Sequence, residues 1–386
     1  MNNFNYHVPT DIRFGKDQIA CLPEELKKYG HRVLLVYGGG SIKRTGLYDK
    51  VCQLLHEFEI YELPGIEPNP KLKSVRTGAK LCKEHNVDVI LAVGGGSCID
   101  AAKHIACGAY YDGDPWDLML DRSKITSALP IAVVLTICAT GSEMNSGAVI
   151  SNEETNEKLE INSPVLYPTL SICDPTYLYT LPKKQTAAGT VDIMSHVLEQ
   201  YFQPNMEAYI TDRLSEGVLK TCIKYGPIAL EEPDDYEARS NLMWASTIAL
   251  NHLLTVGKGG AWSVHPMEHE LSAFYDITHG VGLAILTPAW MKYVLCDKTV
   301  DRFAMLARNV WGVEAEDAYE AARLGIEKTE EFFKNLGMPQ RLSEVGIGTE
   351  KLRFMAEETV RTSRISSHSY YPLQADDILK IFESVC

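Results

Sequence analysis

The feature that most limits the possible folds of this chain is a repeated succession of apolar run, glycine turn and helical stretch. Residues 32–37 and 87–93 are short apolar runs, and each is followed directly by Gly-Gly-Gly-Ser. Apolar residues three and four positions apart follow both turns, which predicts helices at about residues 48–57 and 99–108. Because parallel strands are joined by crossover helices, the first half is predicted to be an α/β domain, a parallel sheet with flanking helices.

The pattern of the chain changes near residue 181. A third buried strand is predicted at residues 131–135, and it leads into Thr140-Gly141-Ser142-Glu143. Beyond residue 181 helical periodicity dominates, with helices expected over residues 184–201, 208–225, 236–251 and 279–295. A chain of 386 residues is also long for one hydrophobic core. We therefore expect an α/β domain over residues 1–181 and an all-α domain over residues 182–386.

The second glycine turn has the composition of a phosphate-binding loop. Gly95 and Gly96 would let the backbone approach a diphosphate, whose charge then faces Ser97 and the free amides of a helix N-terminus. Asp100, in the predicted first helical turn, is placed to meet a nicotinamide or ribose, or else only complements the helix dipole. Taken alone, the motif is equally compatible with a tight turn. Residues 1–181 are thus the candidate dinucleotide-binding domain.

The first glycine turn bears on the choice between NAD and NADP. An NAD site usually holds the ribose 2′-hydroxyl with an acidic side chain at a strand end, and that acid repels a 2′-phosphate. Residues 37–44 contain no acid, and they offer small residues, a hydroxyl and two cations: Gly38, Gly39, Ser41, Lys43 and Arg44. We therefore predict a preference for NADP(H). The alternative is that both cations only face solvent.

The second half of the chain contains residue types that bind divalent first-row metals. Asp192 and His196 stand four apart in a predicted helix, so both project from one face. His265, His269 and His279 follow within fifteen positions of one another. One carboxylate and three imidazoles would bind a metal and leave room for a substrate oxygen. Any one histidine alone is more often a hydrogen-bonded core or surface residue, and either His265 or His269 is a candidate proton carrier instead of a ligand.

These motifs together resemble a known family. Gly94-Gly95-Gly96-Ser97-Cys98-Ile99-Asp100, Asp192-x3-His196 and His265-x3-His269-x9-His279-Gly280 are similar to the iron-containing, group III alcohol dehydrogenases. The Asn-Asn-Phe-Asn opening, Tyr-Gly-Gly-Gly-Ser and Glu-Pro-Asn-Pro resemble the branch of NADPH-dependent butanol dehydrogenases and broad-range aldehyde reductases. The resemblance implies a dinucleotide-binding α/β domain, a helical metal-binding and catalytic domain, and a homodimer joined partly through N-terminal strands. It also implies hydride transfer between NADP(H) and a small aldehyde or primary alcohol, such as butanal or butanol.

The resemblance also assigns roles to individual residues. It implies that the metal ligands are Asp192, His196, His265 and His279, and that His269 is the catalytic residue beside the nicotinamide. It assigns cofactor contacts to Gly95, Gly96, Ser97, Asp100, Asn69, Thr136, Thr140 and Lys158. Fe(II) is the metal that the family implies, and Zn(II) competes because intrinsic affinity rises from iron to zinc. The metal would polarise the substrate oxygen, while His269, the ribose hydroxyls and water stay open as proton donors.

Composition disfavours several other kinds of protein. The formal net charge of -14 disfavours a nucleic-acid or anionic membrane surface. The longest apolar stretch, residues 129–139, is too short to span a bilayer, and the N-terminal residues do not read as a leader peptide. Ten scattered cysteines without a C-x-x-C pair indicate reduced thiols. We therefore expect a cytoplasmic enzyme.

Two other functions compete with this interpretation. A sugar-cyclising synthase would share the fold, the nicotinamide cofactor and the metal, but favours clustered basic residues for a charged substrate. Trp262, Phe274 and Tyr275 around the histidines are better suited to an uncharged one. A catalytically silent NADP-binding or redox-sensing protein is disfavoured by the complete set of ligand types.

Overall fold

A computed structural model of the protein describes residues 1–204 and 207–386. These residues form two compact units. The sheet unit comprises His7–Leu181 and Pro233–Asn251, and the helical unit comprises Met1–Tyr6, Pro182–Glu232 and His252–Cys386. One break between the units falls at the predicted boundary of residue 181, whereas residues 233–251 group with the sheet. As a boundary between separately folding domains, residue 181 stays a prediction.

The sheet unit contains a parallel sheet and a separate hairpin. Its strands are β1 (Asp11–Phe14), β2 (Arg32–Tyr37), β3 (Glu59–Leu63), β4 (Val89–Gly94), β5 (Ile131–Leu135), β6 (Gly147–Asn152), β7 (Glu157–Asn162) and β8 (Leu170–Cys173). Six of them pair in parallel in the order β1-β8-β5-β4-β2-β3, and β6 pairs antiparallel with β7. Its helices are α1 (Leu22–Lys27), α2 (Ser41–Arg44), α3 (Leu47–Leu54), α4 (Leu72–His85), α5 (Gly96–Gly108), α6 (Trp116–Leu120) and α9 (Tyr236–Leu250). The predicted α/β architecture is thereby confirmed.

The central strands are apolar along most of their length because both faces of the sheet are covered. β4 and β5 are buried at every position. Tyr37 pairs with Val93 and Gly94 pairs with Leu135, so the carboxyl ends of β2, β4 and β5 lie side by side. The two glycine turns and the loop after β5 therefore lie next to one another, at the carboxyl ends of the parallel strands.

The helix α9 joins the sheet unit from a distant part of the sequence. Thr247 Oγ1 on α9 donates a hydrogen bond of 2.6 Å to Glu143 Oε1, in the turn after β5. A methyl group built on Gly141 would lie 2.8 Å from the Ser246 carbonyl oxygen. This turn therefore packs directly against α9, and Glu143 is buried with a hydrogen-bond donor supplied by that helix.

The helical unit contains the remaining helices: α7 (Lys183–Tyr201), α8 (Tyr209–Glu231), α10 (Val264–Tyr275), α11 (His279–Val294), α12 (Val300–Trp311), α13 (Ala318–Asn335), α14 (Leu352–Thr362) and α15 (Ala375–Ser384). The predicted end of α8 at residue 225 was wrong, since this helix continues through Pro227 to Glu231. α7 is buried at every position from Thr186 to Tyr201. Polar residues on α7 are therefore enclosed by protein. None of the helices in the described parts of the chain is long and apolar enough to cross a membrane.

Candidate functional site

Three helices of the helical unit bring the predicted metal ligands together. α7 carries Asp192 and His196, His265 is the second residue of α10, and His279 is the first residue of α11. Asp192 Oδ1 lies 3.4 Å from His196 Nδ1, 4.0 Å from His265 Nε2 and 3.8 Å from His279 Nε2. One ligand atom each from Asp192, His265 and His279 lies within 4.8 Å of the others. Residues far apart in sequence thus converge on one carboxylate oxygen.

His196 lies beside this trio and is enclosed with it. Its ring centroid is 4.6 Å from that of His265, and the indole of Trp262 contacts both rings edge-on. Burial, and secondarily the nearby His265 and His279, lowers the pKa of His196 well below its ordinary value. A neutral imidazole keeps a lone pair that a metal can accept. The lowered pKa of His196 therefore favours the neutral ring, which can act as a ligand.

The donor atoms suit a divalent metal. His196 Nδ1 and His265 Nε2 are buried and have no hydrogen-bond partner among the described residues. A buried polar atom without a partner is costly, and a metal at this point would use both lone pairs. One carboxylate with imidazoles is a donor set for Fe(II) or Zn(II). The residues therefore fit the metal that the motifs predicted.

Two buried glutamates contact the Nδ1 atoms of two proposed ligand histidines, and neither glutamate was predicted from the sequence. Glu199 Oε1 lies 3.2 Å from His265 Nδ1, and Glu268 Oε2 hydrogen-bonds to His279 Nδ1. Asp192, His196 and Glu199 follow one another at helical spacing on α7, so a polar stripe on a buried helix was the available sequence signal.

His269 lies on α10, one turn beyond His265. Its ring is half-buried, with its centroid 5.8 Å from that of His279. A ligand atom of His269 also lies within 4.8 Å of atoms of Glu268 and His279, but His269 is not part of the Asp192 group. This placement beside the ligands suits the predicted catalytic role of His269.

In the sheet unit, the predicted cofactor residues of the loops follow the carboxyl ends of parallel strands: Gly38, Gly39 and Ser41 after β2, Gly95, Gly96 and Ser97 after β4, and Thr136 and Thr140 after β5. Gly96 packs against Thr140, since a methyl group built on Gly96 would lie 2.5 Å from Thr140 Oγ1. The Thr136 amide donates to the Gly94 carbonyl oxygen at 3.0 Å. The loops after β4 and β5 are thus in direct contact.

Asp100 is held by contacts inside the sheet unit. The prediction that it lies in the first helical turn was wrong, because α5 begins at Gly96 and Asp100 is its fifth residue. Its oxygens accept hydrogen bonds from Ser142 Oγ at 2.6 Å and the Val149 amide at 3.0 Å. Lys103 Nζ, one turn further on, donates to the same Ser142 hydroxyl at 2.8 Å. Burial raises the pKa of Asp100 and lowers the pKa of Lys103 to about 8. The Asp100 carboxylate is therefore fixed in place, and Lys103 is a buried partner that the sequence prediction missed.

The two other predicted cofactor residues, Asn69 and Lys158, contact each other. Lys158 Nζ on β7 donates to Asn69 Oδ1 at 3.0 Å. Both side chains are buried, and Asn69 adopts a left-handed backbone conformation with φ of 52°. Residues 89 positions apart in sequence thus form one polar contact.

Lys43 lies near the carboxylate of Glu62, which the prediction of cofactor preference did not consider. Lys43 Nζ lies 3.9 Å from Glu62 Oε2 and 4.4 Å from the centre of the Tyr48 ring. Glu62, on β3, also accepts hydrogen bonds from the hydroxyl groups of Tyr37 and Tyr48, at 2.5 and 2.7 Å. The neighbouring strand therefore places a carboxylate beside Lys43, where it partly offsets the positive charge of the lysine.

Comparison with known families gives matches over most of the chain. The model of the family described as iron-containing alcohol dehydrogenase matches residues 9–175. The model for the C-terminal part of the Fe-containing alcohol dehydrogenase family matches residues 186–386. The two matches together contain every predicted ligand and every predicted cofactor residue.

Individual relatives extend the same likeness. The NADH-dependent butanol dehydrogenase A of Clostridium acetobutylicum is 56% identical over 386 residues, which cover 99% of each chain. The NADPH-dependent aldehyde reductase YqhD of Escherichia coli is 43% identical over 350 residues, 90% of each chain. The crystal structure of an NADH-dependent butanol dehydrogenase A from Thermotoga maritima superposes with a TM-score of 0.96 at 43% identity, covering 100% of this chain and 99% of the other.

Proposed function

The chain belongs to the iron-containing alcohol dehydrogenase family, and from that premise we propose that it transfers a hydride between a nicotinamide dinucleotide and a small aldehyde or primary alcohol. Butanal and butanol represent the expected substrates, since relatives are named butanol dehydrogenases and an aldehyde reductase. The observation that carries the proposal is the convergence of Asp192, His265 and His279 within 4.8 Å, beside buried imidazole nitrogens that have no hydrogen-bond partner in the described parts of the chain.

Different residues of the helical unit have different proposed roles in metal binding, proton transfer and substrate binding. Asp192, His196, His265 and His279 would hold Fe(II) or Zn(II), which when bound supplies a Lewis acid for the substrate oxygen. His269, beside His279, is positioned to hold or pass a proton at its ring nitrogens. The Trp262 indole places apolar surface against the ligand rings, which favours an uncharged substrate.

The proposed cofactor is NADP(H), with NAD(H) as the second candidate. The absence of an acid from residues 37–44 favours NADP(H), because no carboxylate of that loop repels a 2′-phosphate. The contact between Glu62 and Lys43 favours NAD(H), because a lysine paired with a carboxylate attracts a phosphate less strongly. The relatives are named for both cofactors. Relative rates with NADPH and NADH therefore decide between the two.

The test is the initial rate of NADPH and of NADH oxidation with butanal. The protein is first stripped with a chelator and then resupplied separately with Fe(II) and with Zn(II). Metal-dependent, NADPH-preferring turnover supports the proposal in full, and turnover with NADH alone overturns the cofactor preference. Protein that turns over with neither cofactor under any metal condition overturns the proposed oxidoreductase function.

A homodimer and a cytoplasmic location complete the proposal. β1 stands at one edge of the six-stranded sheet, and an edge strand offers backbone groups for pairing with a second copy. All ten cysteines have free thiols in the described structure, which suits a reducing compartment. Sedimentation equilibrium of the full chain measures the assembly, and a monomer at micromolar concentration would contradict it.

A further inference from the structure

Glu199 and Glu268 occupy corresponding places behind two of the proposed ligands. Each glutamate contacts the Nδ1 atom of one histidine, Glu199 that of His265 and Glu268 that of His279. The opposite nitrogens of these rings, both Nε2, lie 4.0 and 3.8 Å from Asp192 Oδ1. An ionised carboxylate only accepts hydrogen bonds, so in each ring Nδ1 carries the proton and Nε2 keeps the lone pair. Both glutamates therefore select the tautomer that a metal beside Asp192 requires.

Both carboxylates are enclosed by protein. Glu199 is 4% exposed and Glu268 is 0% exposed. No lysine or arginine among the described residues lies within 4.0 Å of the Glu199 carboxylate. Burial of a charge is costly unless donors or a metal offset it. In both cases protein groups supply this compensation, N–H groups for Glu199 and the Ser272 hydroxyl and His279 ring for Glu268.

Glu199 also fixes the backbone that carries His265. Its carboxylate accepts hydrogen bonds from the amides of Ser263, Val264 and His265, at 2.8, 2.6 and 2.9 Å. These amides begin α10 and lack carbonyl partners within that helix. A carboxylate at a helix N-terminus is also stabilised by the helix dipole. The backbone and the ring of His265 are thus both attached to α7, the helix that carries Asp192 and His196.

We propose that Glu199 and Glu268 are positioning residues that set the tautomer and orientation of His265 and His279, and thereby the affinity of the protein for its divalent metal. This inference rests on the metal centre of the proposed function. Glu199 has the larger effect, because it holds the main chain of His265 as well as its ring. Neither glutamate belongs to the group of candidate ligand atoms around Asp192.

Glutamine substitutions test the two positions separately. Among the described residues, the carboxylate of Glu199 contacts four N–H groups, one at Oε2 and three at Oε1. In Glu199→Gln one of these oxygens becomes an NH2 group. In either orientation of the amide, this NH2 group therefore faces another donor and loses a hydrogen bond. In Glu268→Gln the amide oxygen can still accept from His279, while the amide nitrogen faces the Ser272 hydroxyl, which can accept. Changes behind a ligating histidine weaken metal binding by about 10- to 100-fold. We expect a loss of about 100-fold for Glu199→Gln and about 10-fold for Glu268→Gln.

Gln203→Ala is the matched control. Gln203 follows Glu199 on the same segment, and its side chain exchanges hydrogen bonds with the Ala261 backbone at 2.7 and 3.0 Å. Its side chain also donates to the Glu199 carbonyl oxygen at 2.6 Å, so it attaches the segment before α10 to the end of α7 without contacting the Glu199 carboxylate. A purely structural role of Glu199 would make Glu199→Gln behave like Gln203→Ala, with lowered melting temperature and unchanged metal affinity.

The measurement is the dissociation constant of Zn(II), by competition with a chromophoric chelator on the full-length apoprotein. The visible absorption of the Co(II)-loaded protein reports ligand geometry independently of turnover. Weaker Zn(II) binding and altered Co(II) bands in both glutamate variants, with Gln203→Ala like wild type, support the inference. Zn(II) affinities within threefold of wild type in both glutamate variants overturn the inference. If Glu199→Gln does not fold, the Zn(II) affinity of Glu268→Gln alone supports or overturns it. Wild-type protein that binds neither ion overturns the proposed metal centre itself.

Discussion

Gly280 packs directly on the backbone of Ala188: a methyl group built on Gly280 would lie 2.2 Å from the Ala188 carbonyl oxygen. Gly280 follows His279 at the start of α11, and Ala188 precedes Asp192 by one turn of α7. Only a residue without a side chain allows the two helices to approach this closely. The separation of 3.8 Å between His279 Nε2 and Asp192 Oδ1 therefore depends on this glycine.

Gly280→Ala is expected to lower both stability and metal retention. The added methyl group must push α11 away from α7, at a cost of about 1–3 kcal/mol, and His279 moves with its helix. Thermal unfolding and Zn(II) content after dialysis measure the two effects. Gly217→Ala is the control, because this α8 glycine has open space around it and alanine favours helix. Wild-type Zn(II) retention in Gly280→Ala would contradict the dependence on close packing.

His265→Ala is expected to abolish metal retention and turnover while leaving NADPH binding intact. The substitution removes an imidazole nitrogen from beside Asp192, whereas the predicted dinucleotide loops belong to the sheet unit. Metal analysis and NADPH fluorescence titration measure the two properties. Replacement of the exposed His56 by alanine should change neither. Normal activity of metal-free His265→Ala protein would remove His265 from the ligand set.

Gly39→Asp is expected to shift cofactor preference towards NADH. Open space surrounds Gly39, so an aspartate fits sterically, and its carboxylate would repel a 2′-phosphate. We expect the ratio of kcat/KM for NADPH to that for NADH to fall at least ~10-fold, which corresponds to ~1.4 kcal/mol. An unchanged ratio would show that the turn after β2 does not contact the 2′ position.

Glu62→Gln is expected to act in the opposite direction. Loss of the carboxylate leaves the Lys43 ammonium without its nearby negative charge, so attraction to a 2′-phosphate increases. The same kinetic ratio should rise, with the change confined to NADPH. Glu59→Gln, an exposed change on the same strand, is the matched control. A fall in the ratio for Glu62→Gln would instead mean that Glu62 orients Lys43 productively.

Asp88→Asn is expected to destabilise the protein at neutral pH and to have little effect in acid. Hydrogen bonds, first from the Arg32 guanidinium and then from the Arg32 and His31 amides, lower the pKa of Asp88 from 3.8 to about 2. Because the folded-state pKa lies below the unfolded value, the ionised carboxylate stabilises the fold above pH ~4 by up to ~2 kcal/mol. That contribution is lost as pH falls from ~4 towards 2. Urea unfolding of both proteins at pH 7 and pH 2.5 tests this, and a constant difference would contradict it.

Residue types and periodicity predicted the parts of the fold that are buried on both faces. The strands Arg32–Tyr37 and Ile131–Leu135 have the predicted bounds, because continuous apolar runs are typical of central parallel strands. β3 was missed, since this edge strand is half exposed and carries Glu59 and Glu62. The family predicted from the glycine and histidine motifs is confirmed.

The candidate site was only partly accessible from the sequence. Asp192 and His279 were predicted as metal ligands from residue type, spacing and family resemblance, and the structure brings them together. Glu199 acts on amides 64 to 66 positions away, and no local pattern indicates such partners. Glu62 reaches Lys43 through the pairing of neighbouring strands. Contacts of this kind follow from tertiary packing, which periodicity does not encode.

The attachment of α9 to the sheet unit has a consequence for synthesis on the ribosome. A nascent chain that has reached Leu181 contains all the strands found in the described residues, yet Glu143 still lacks the hydroxyl of Thr247 and the turn at Gly141 lacks the helix it packs against. The sheet unit is completed only after Asn251 has emerged, by which time α7 and α8 have already been made. We therefore expect cotranslational folding of this protein to be discontinuous. The helices α7 and α8 are synthesised before the last segment of the sheet unit, so the sheet unit is completed after part of the helical unit has been made.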